Sequence, residues 1–319
     1  MNFGSLPQSH TVPPKRISLA AISYLRNATG HENFLVHRRS DTGHVVIEPS
    51  NQLLADRDPA RNEVLTTKIE LFDSHFHVID SRYPLIRNNG YLPDEFTHQD
   101  YRKRLSTFHL AGGAIISGSF QGFGQSHLLS ALESLGPKYV GVTQLPNNIS
   151  DDEIIELNSS GVRALRFNLY RGDPKRITHI TSMAKRVYEL ANWHIELYLD
   201  STHLEELFSV LAPLPAVCVD HLGMKKEGFH HLLKLVERGH KVKATGFGRI
   251  DFDPSQAIKL LYKANPDSLL FGTDLPSTRA PIPFQPSDIN IILESLGDEA
   301  AKKVLKDNAI EFYKIKSSF

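Results

Sequence analysis

Four side chains in this sequence could act together on one reacting atom. Asp73-Ser74-His75-Phe76-His77 spaces two imidazoles one residue apart. In a β-strand that spacing turns both rings to the same side, within reach of one metal ion or one substrate oxygen. With 16 histidines in 319 residues, a His-x-His pair arises by chance roughly once in such a chain, so spacing alone is weak evidence. Two later segments add weight. Val217-Cys218-Val219-Asp220 runs into His221-Leu222-Gly223, and strand parity groups Val217, Val219 and His221 on one side. Leu269-Leu270-Phe271 runs into Gly272-Thr273-Asp274-Leu275-Pro276, which places a carboxylate directly after an apolar run. Imidazoles and carboxylates are the groups that move protons and bind metals. Each also has a quieter reading, an aspartate capping a turn or a histidine bonded to a loop carbonyl; position in the fold decides between them.

From about Glu70 the chain alternates short apolar strand-like runs with helical stretches. Strands are expected to begin near Glu70, Gly113, Tyr139, Gly161, His194, Ala216, Lys241 and Ser268. Ser126 reads as a cap opening one helix. Residues 178–192 and 202–212 carry apolar residues at helical spacing, and Asp253-Pro254 sets a cap before a first-turn proline. Strict alternation implies parallel strands joined by crossover helices. Eight strands over 70–319 fit an α/β (β/α)8 TIM barrel, typically about 250 residues. A doubly wound open sheet would also fit the alternation, but no Gly-x-Gly-x-x-Gly follows the first strand and eight repeats favour closure. In such a barrel, catalytic groups sit at the C-terminal ends of the strands. His75, His77, His221 and Asp274 all fall there.

Residues 1–69 break the rhythm and read as an N-terminal extension to the 70–319 catalytic domain. Pro7, Pro13 and Pro14 argue for an irregular start. Residues 33–36 and 45–48 flank Ser40-Asp41-Thr42-Gly43 as a β-hairpin, and 56–61 read as a polar linker. The extension is either an ornament on the barrel or a lid over its mouth. Lys15-Arg16 before the apolar stretch 17–25 loosely imitates a secretion signal, but Ser18 and Ser23 interrupt it, and a cytoplasmic location is expected.

Composition excludes several classes. Thirty-six Lys+Arg balance 36 Asp+Glu, which removes the electrostatic footprint expected for nucleic acid or an anionic membrane. No apolar run approaches the ~20 residues that span a bilayer. Cys218 is the single cysteine, so no intrachain disulfide forms; inside an apolar run it reads as an inert core residue rather than a nucleophile. Nothing in the sequence sets an oligomeric state.

The segments Asp73–His77, Asp220–Gly223 and Gly272–Pro276 together resemble the amidohydrolase superfamily, specifically the amidohydrolase-2 group. Within it the chain is similar to the 2-pyrone-4,6-dicarboxylate lactonase subgroup. Arg163–Asn168, Trp193–Tyr198 and Lys243–Arg249 support that likeness, in order, over roughly 70–315. Most of the superfamily binds divalent metals through the first-strand pair, histidines on strands five and six, and the last-strand Asp. Here Tyr198 stands at the fifth-strand ligand position, and Arg166 and Asn168 stand where two-metal members place a bridging lysine. A guanidinium cannot ligate a metal, which argues against a binuclear centre. A single Zn²⁺ on His75, His77 and Asp274 remains open, since catalytic zinc can use three protein ligands.

The resemblance implies a hydrolase that opens a carboxylated lactone or related cyclic ester with no required metal. Asp274 would activate water, His75, His77 and His221 would polarise the carbonyl, and Tyr198 would help hold it. Arg166, Arg171 and Arg249 would bind substrate carboxylates, with Ser119 adding a hydrogen bond; guanidinium suits that task. Ser277 stands where the resemblance implies a histidine. Glu196 shares the parity of Tyr198 and needs a buried partner, either Arg166 or a histidine. Alternatives are a mononuclear zinc hydrolase or decarboxylase of the same barrel group, and a catalytically silent barrel binding a small acid or a protein.

Overall fold

A computed structural model of the chain describes residues 34–38, 45–49, 69–171 and 179–315. The chain divides into two units, Met1–Leu65 and Thr66–Phe319. In the first, β1 (Phe34–Arg38) pairs antiparallel with β2 (Val45–Pro49), Phe34 opposite Pro49 and Arg38 opposite Val45. The proline-rich start, the polar segment 56–61 and any lid formed by the extension lie outside the described residues.

The second unit is an eight-stranded parallel sheet, its strands adjacent in chain order. They are β3 (Glu70–Phe76), β4 (His109–Ile116), β5 (Tyr139–Thr143) and β6 (Val162–Asn168). β7 (His194–Tyr198), β8 (Val217–Val219), β9 (Lys241–Ala244) and β10 (Leu269–Phe271) complete it. A helix follows each strand: α1 (His98–Arg104), α2 (Ser126–Leu135), α3 (Asp151–Ser159), α4 (Ile180–Ala191), α5 (Leu204–Leu211), α6 (Phe229–Glu237), α7 (Pro254–Ala264) and α8 (Ser287–Leu296). The result is a nearly closed TIM barrel. Caps are local sequence choices. Ser150 and Glu153 exchange hydrogen bonds at the start of α3, and Asp253 caps α7 with Pro254 in its first turn. The expected cap at Ser126 is not made: Ser126 is already helical, and Gln125 before it gives no side-chain cap bond.

β4 begins at His109, four residues before the expected Gly113. Gly112-Gly113 lies inside the strand, at a shift of register against β3. A Cβ on Gly112 would sit 2.2 Å from the Lys138 carbonyl oxygen, so only glycine allows that approach.

The two faces of each strand fill different spaces. Leu165, Phe167, Ile195, Leu197, Val217 and Val219 face the helices within the main core. Phe72, Ala114, Val142, Ala164, Cys218 and Leu270 fill the barrel interior, with Tyr313 stacked on Phe72 at 5.8 Å. This overturns the parity expected for β8. Val217 and Val219 point outward; Cys218 points in, and Asp220 continues that inward phase.

The seam between β10 and β3 is held largely by side chains. The buried Asp73 carboxylate accepts from Thr273 N at 2.8 Å, Thr273 Oγ1 at 2.6 Å and His75 N at 3.2 Å. Ser74 Oγ donates to Phe271 O at 2.6 Å. Beyond them, Asp274 N donates to His75 O and His77 N to Leu275 O, both at 2.7 Å. A Cβ on Gly272 would lie 2.7 Å from His75 Cβ, so glycine is required where the last strand closes on the first. Burial raises Asp73 to about 6 against the opposing pull of the Thr273 bonds.

Asp73→Ala would strand two backbone N–H groups and a hydroxyl at the seam. An unsatisfied buried donor costs about 1–3 kcal/mol. We expect a loss of about 3 kcal/mol in urea unfolding, with the far-UV spectrum of the folded form retained.

Candidate active site

The C-terminal mouth of the barrel forms a half-open pocket. Its lining includes His77, Ser119, Arg166, Tyr198, His221 and Asp274, together with Arg171 and Arg249. His75 lies fully buried just beneath: its ring is 5.3 Å from that of His77 and 4.9 Å from that of His221, and its Nε2 is 3.8 Å from Asp274 Oδ1. Every residue singled out in the sequence for chemistry or substrate binding is therefore at or directly below one mouth.

The route by which His221 arrives differs from expectation. β8 stops at Val219, and the chain then turns through left-handed backbone at His221 (φ 52°) and Leu222 (φ 50°). The turn, not strand alternation, swings the imidazole inward. Strand alternation instead delivers Asp220, to which the sequence reading gave no role.

Asp220 is central to the charge pattern. Its Oδ2 accepts from Arg166 Nη2 at 2.8 Å and Nε at 3.3 Å, while Oδ1 faces His75 Nδ1 at 3.4 Å and Lys243 Nζ at 3.7 Å. Burial pushes the Asp220 carboxyl up, but the charges of His75, Arg166 and Lys243 prevail and hold it well below the usual range. One level deeper, Glu196 takes Lys243 Nζ at 2.5 Å, Tyr313 OH at 2.6 Å and His194 Nε2 at 3.1 Å. Its buried partners are thus a histidine, a lysine and a tyrosine, while Arg166 serves Asp220. Burial again opposes ionisation of Glu196, and the Lys243 charge outweighs it, lowering the carboxyl to about 2. Lys243 was visible in the sequence as an inward-phase lysine on the seventh barrel strand. The signal was there but unused.

Desolvation lowers the pKa of all three mouth histidines, His77 and His221 well below the ordinary imidazole value, and the nearby Arg166 charge pulls in the same direction. His77 Nδ1 lies 2.7 Å from the Ile116 carbonyl, so that nitrogen carries the proton and Nε2 presents a lone pair. Asp274 Oδ2 accepts from Arg249 Nε at 2.7 Å, and Arg249 Nη2 donates to Thr278 O at 2.8 Å. Asp274 Oδ1, His75 Nε2 and His221 Nδ1 are buried without partners within the protein. Buried polar atoms without partners carry a desolvation penalty; His75 Nε2 and Asp274 Oδ1, 3.8 Å apart, are placed so that one ligand could satisfy both.

Tyr198 completes the wall. Its hydroxyl accepts from Arg171 Nε at 3.4 Å, and its ring lies under the Arg166 guanidinium at 5.4 Å. Asn168 is turned to the backbone, accepting from Arg171 N at 2.8 Å.

One metal ion is sterically admissible. His75, His77 and Asp274 bring ligand atoms within 4.8 Å of one another, as do His75, Asp220 and His221. The unpartnered His75 Nε2 and Asp274 Oδ1 and the His77 lone pair suit the first set. The second set is weaker, because Asp220 is already committed to Arg166.

An eight-stranded parallel barrel with polar side chains gathered at its C-terminal mouth is the architecture of a barrel enzyme. The amidohydrolase family model matches residues 72–315, and the chain belongs to that family. Among curated relatives it is 24% identical over 278 residues to a 2-pyrone-4,6-dicarboxylate hydrolase of Comamonas testosteroni, covering 76% of this chain and 89% of the other. It is 23% identical over 266 residues, with the same coverage, to a 4-sulfomuconolactone hydrolase of Rhizobium radiobacter. The fold is shared with a probable 2-pyrone-4,6-dicarboxylic acid hydrolase of Acinetobacter baumannii crystallised with citric acid. The TM-score is 0.68 at 22% identity, over 76% of this chain and 99% of that one. The chain is accordingly an enzyme, a hydrolase whose relatives are named lactone hydrolases. Among the described residues, no helix is long and apolar enough to cross a membrane.

Removing one member of a buried ion pair costs about 3–5 kcal/mol. Lys243→Met should lower stability by about that amount. Adding Glu196→Gln to it should recover part of the loss, read as a positive coupling in a urea double-mutant cycle.

Proposed function

We propose that this protein hydrolyses a lactone or related cyclic ester that carries a carboxylate. The observation that carries the reading is Asp274: one oxygen is fixed by Arg249, and the other is unpartnered and faces the histidines. Such a carboxylate can take a proton from water as that water attacks the ester carbon. Tyr198, whose oxygen accepts from Arg171, keeps its own O–H to donate toward the carbonyl. His221 and His75 face the same point. His77, with its proton spent on Ile116, helps shape and desolvate the site unless it becomes doubly protonated. Arg166, Arg171, Arg249 and Ser119 surround the substrate carboxylate. The named activities of the Comamonas and Rhizobium relatives support the reading, and 70–319 is its catalytic domain. A cytoplasmic location belongs to the same reading.

A second reading is favoured by the His77 tautomer. A single divalent ion on His75, His77 and Asp274 would supply Lewis-acid polarisation of the carbonyl. Electrostatics weighs against a requirement for it. An ion held by Asp274 would share that carboxylate with the Arg249 guanidinium, and like charges repel. Asp220 and Asp274 offset this only in part, since each already holds an arginine.

A panel of carboxylated lactones, followed by ring-opening absorbance, tests the proposal. We expect turnover of at least one member. Asp274→Asn should lower kcat about 10²–10⁴-fold while a carboxylate competitor binds within about threefold of wild type. No turnover across the panel, with binding intact, would identify the protein as a silent small-acid barrel.

A further inference from the structure

We propose that Arg279 is a specificity-determining residue, forming with Arg171 an outer subsite for a second carboxylate on the substrate. This rests on the lactone reading for the reaction but goes beyond it in naming the residue that selects a second carboxylate.

Charge pairing singles out these two arginines. Arg166 is bound to Asp220, Arg249 to Asp274 and Lys243 to Glu196. Arg171 and Arg279 also line the pocket, and neither has a carboxylate partner among the described residues. Their contacts are neutral. The Arg171 guanidinium lies 5.3 Å over the Tyr170 ring, with Nε on the Tyr198 hydroxyl. The Arg279 guanidinium lies 4.2 Å over the Tyr91 ring, and its nitrogens donate to the Asn88 carbonyl and, at 3.2 Å, to Asn88 Oδ1. Asn88 ties the two together, since its Nδ2 donates to Arg171 O at 3.3 Å. Desolvation, followed by the Arg171 charge, lowers the Arg279 pKa. Two guanidiniums aimed at one space, each without an anion of its own, suit bidentate capture of a carboxylate.

The loop after β10 is built to present Arg279. Asp274 (φ 61°), Ser277 (φ 65°) and Arg279 (φ 58°) all adopt left-handed backbone, which non-glycine residues tolerate only when the surroundings impose it. The loop is pinned by Ser277 Oγ accepting from Phe284 N at 3.1 Å and by the Arg249 bond to Thr278 O. At position 277, where the resemblance implies a histidine, the serine hydroxyl turns back on its own loop. A cation two residues further on faces the pocket instead. Arg171 follows β6 and Arg279 follows β10, so the pair closes over the mouth from two separate strand ends.

The test compares binding of benzoate and benzene-1,3-dicarboxylate by calorimetry at fixed ionic strength. Wild type should bind the dicarboxylate at least tenfold more tightly. Arg279→Gln should cut that preference below threefold while changing benzoate affinity less than twofold, and Arg279→Lys should restore part of it. Unchanged preference in Arg279→Gln, or equal weakening of both probes, would overturn the proposal. Because the readout is binding, a protein that turns over no lactone yet keeps the Arg279-dependent preference contradicts the lactone reading and supports the subsite.

Discussion

The buried anion Asp220 is the constraint on which the mouth of this barrel depends. It lies fully buried yet ionised, because Arg166 holds one oxygen while His75 and Lys243 face the other. Lys243 extends the network downward to Glu196, Tyr313 and His194. A lone charge at this depth would neutralise rather than stay ionised, so the cluster persists only as a whole. Its consequence for chemistry is positional. Arg166 is drawn to the wall, His75 is fixed between two aspartates, and the arginines with no acidic partner among the described residues stand at the rim.

Around this network the fold separates polar from apolar levels. The N-terminal end of the interior is apolar, closed by Phe72 and Tyr313, and the helix-facing side of the strands forms the larger core. The ion cluster lies above that floor, and the histidines and Asp274 lie above the cluster. Closure of the ring uses the same residues as the site. Asp73 and Ser74 hold the seam one strand-step below His75, and the backbone bonds of His75, Asp274 and His77 continue it. Site geometry and barrel closure are thus one set of hydrogen bonds.

Much of this was legible in the sequence. Alternation of strands and helices implied the barrel, and reading only strand ends selected His75, His77, His221 and Asp274 from a histidine-rich chain. The inward phase of β8 was not legible from Val217-Cys218-Val219, because parallel barrel strands are apolar on both faces and alternation then cannot tell inside from outside. The phase had to come from the neighbouring strand, where Glu196 pairs in register with Cys218. Asp220 was hidden for that reason. Arg279 was hidden for another: a loop residue's direction is set by backbone turns such as those at Ser277 and Arg279, and no periodicity announces them.

In the proposed reaction protein groups alone, Asp274 with the surrounding donors, open the ester. The most direct measurement is the turnover of a carboxylated lactone by protein purified without added metal and dialysed against chelator, with metal content determined on the same sample. We expect an undiminished kcat at well below one metal ion per chain. A rate that vanishes on chelation and returns with one equivalent of zinc would contradict it.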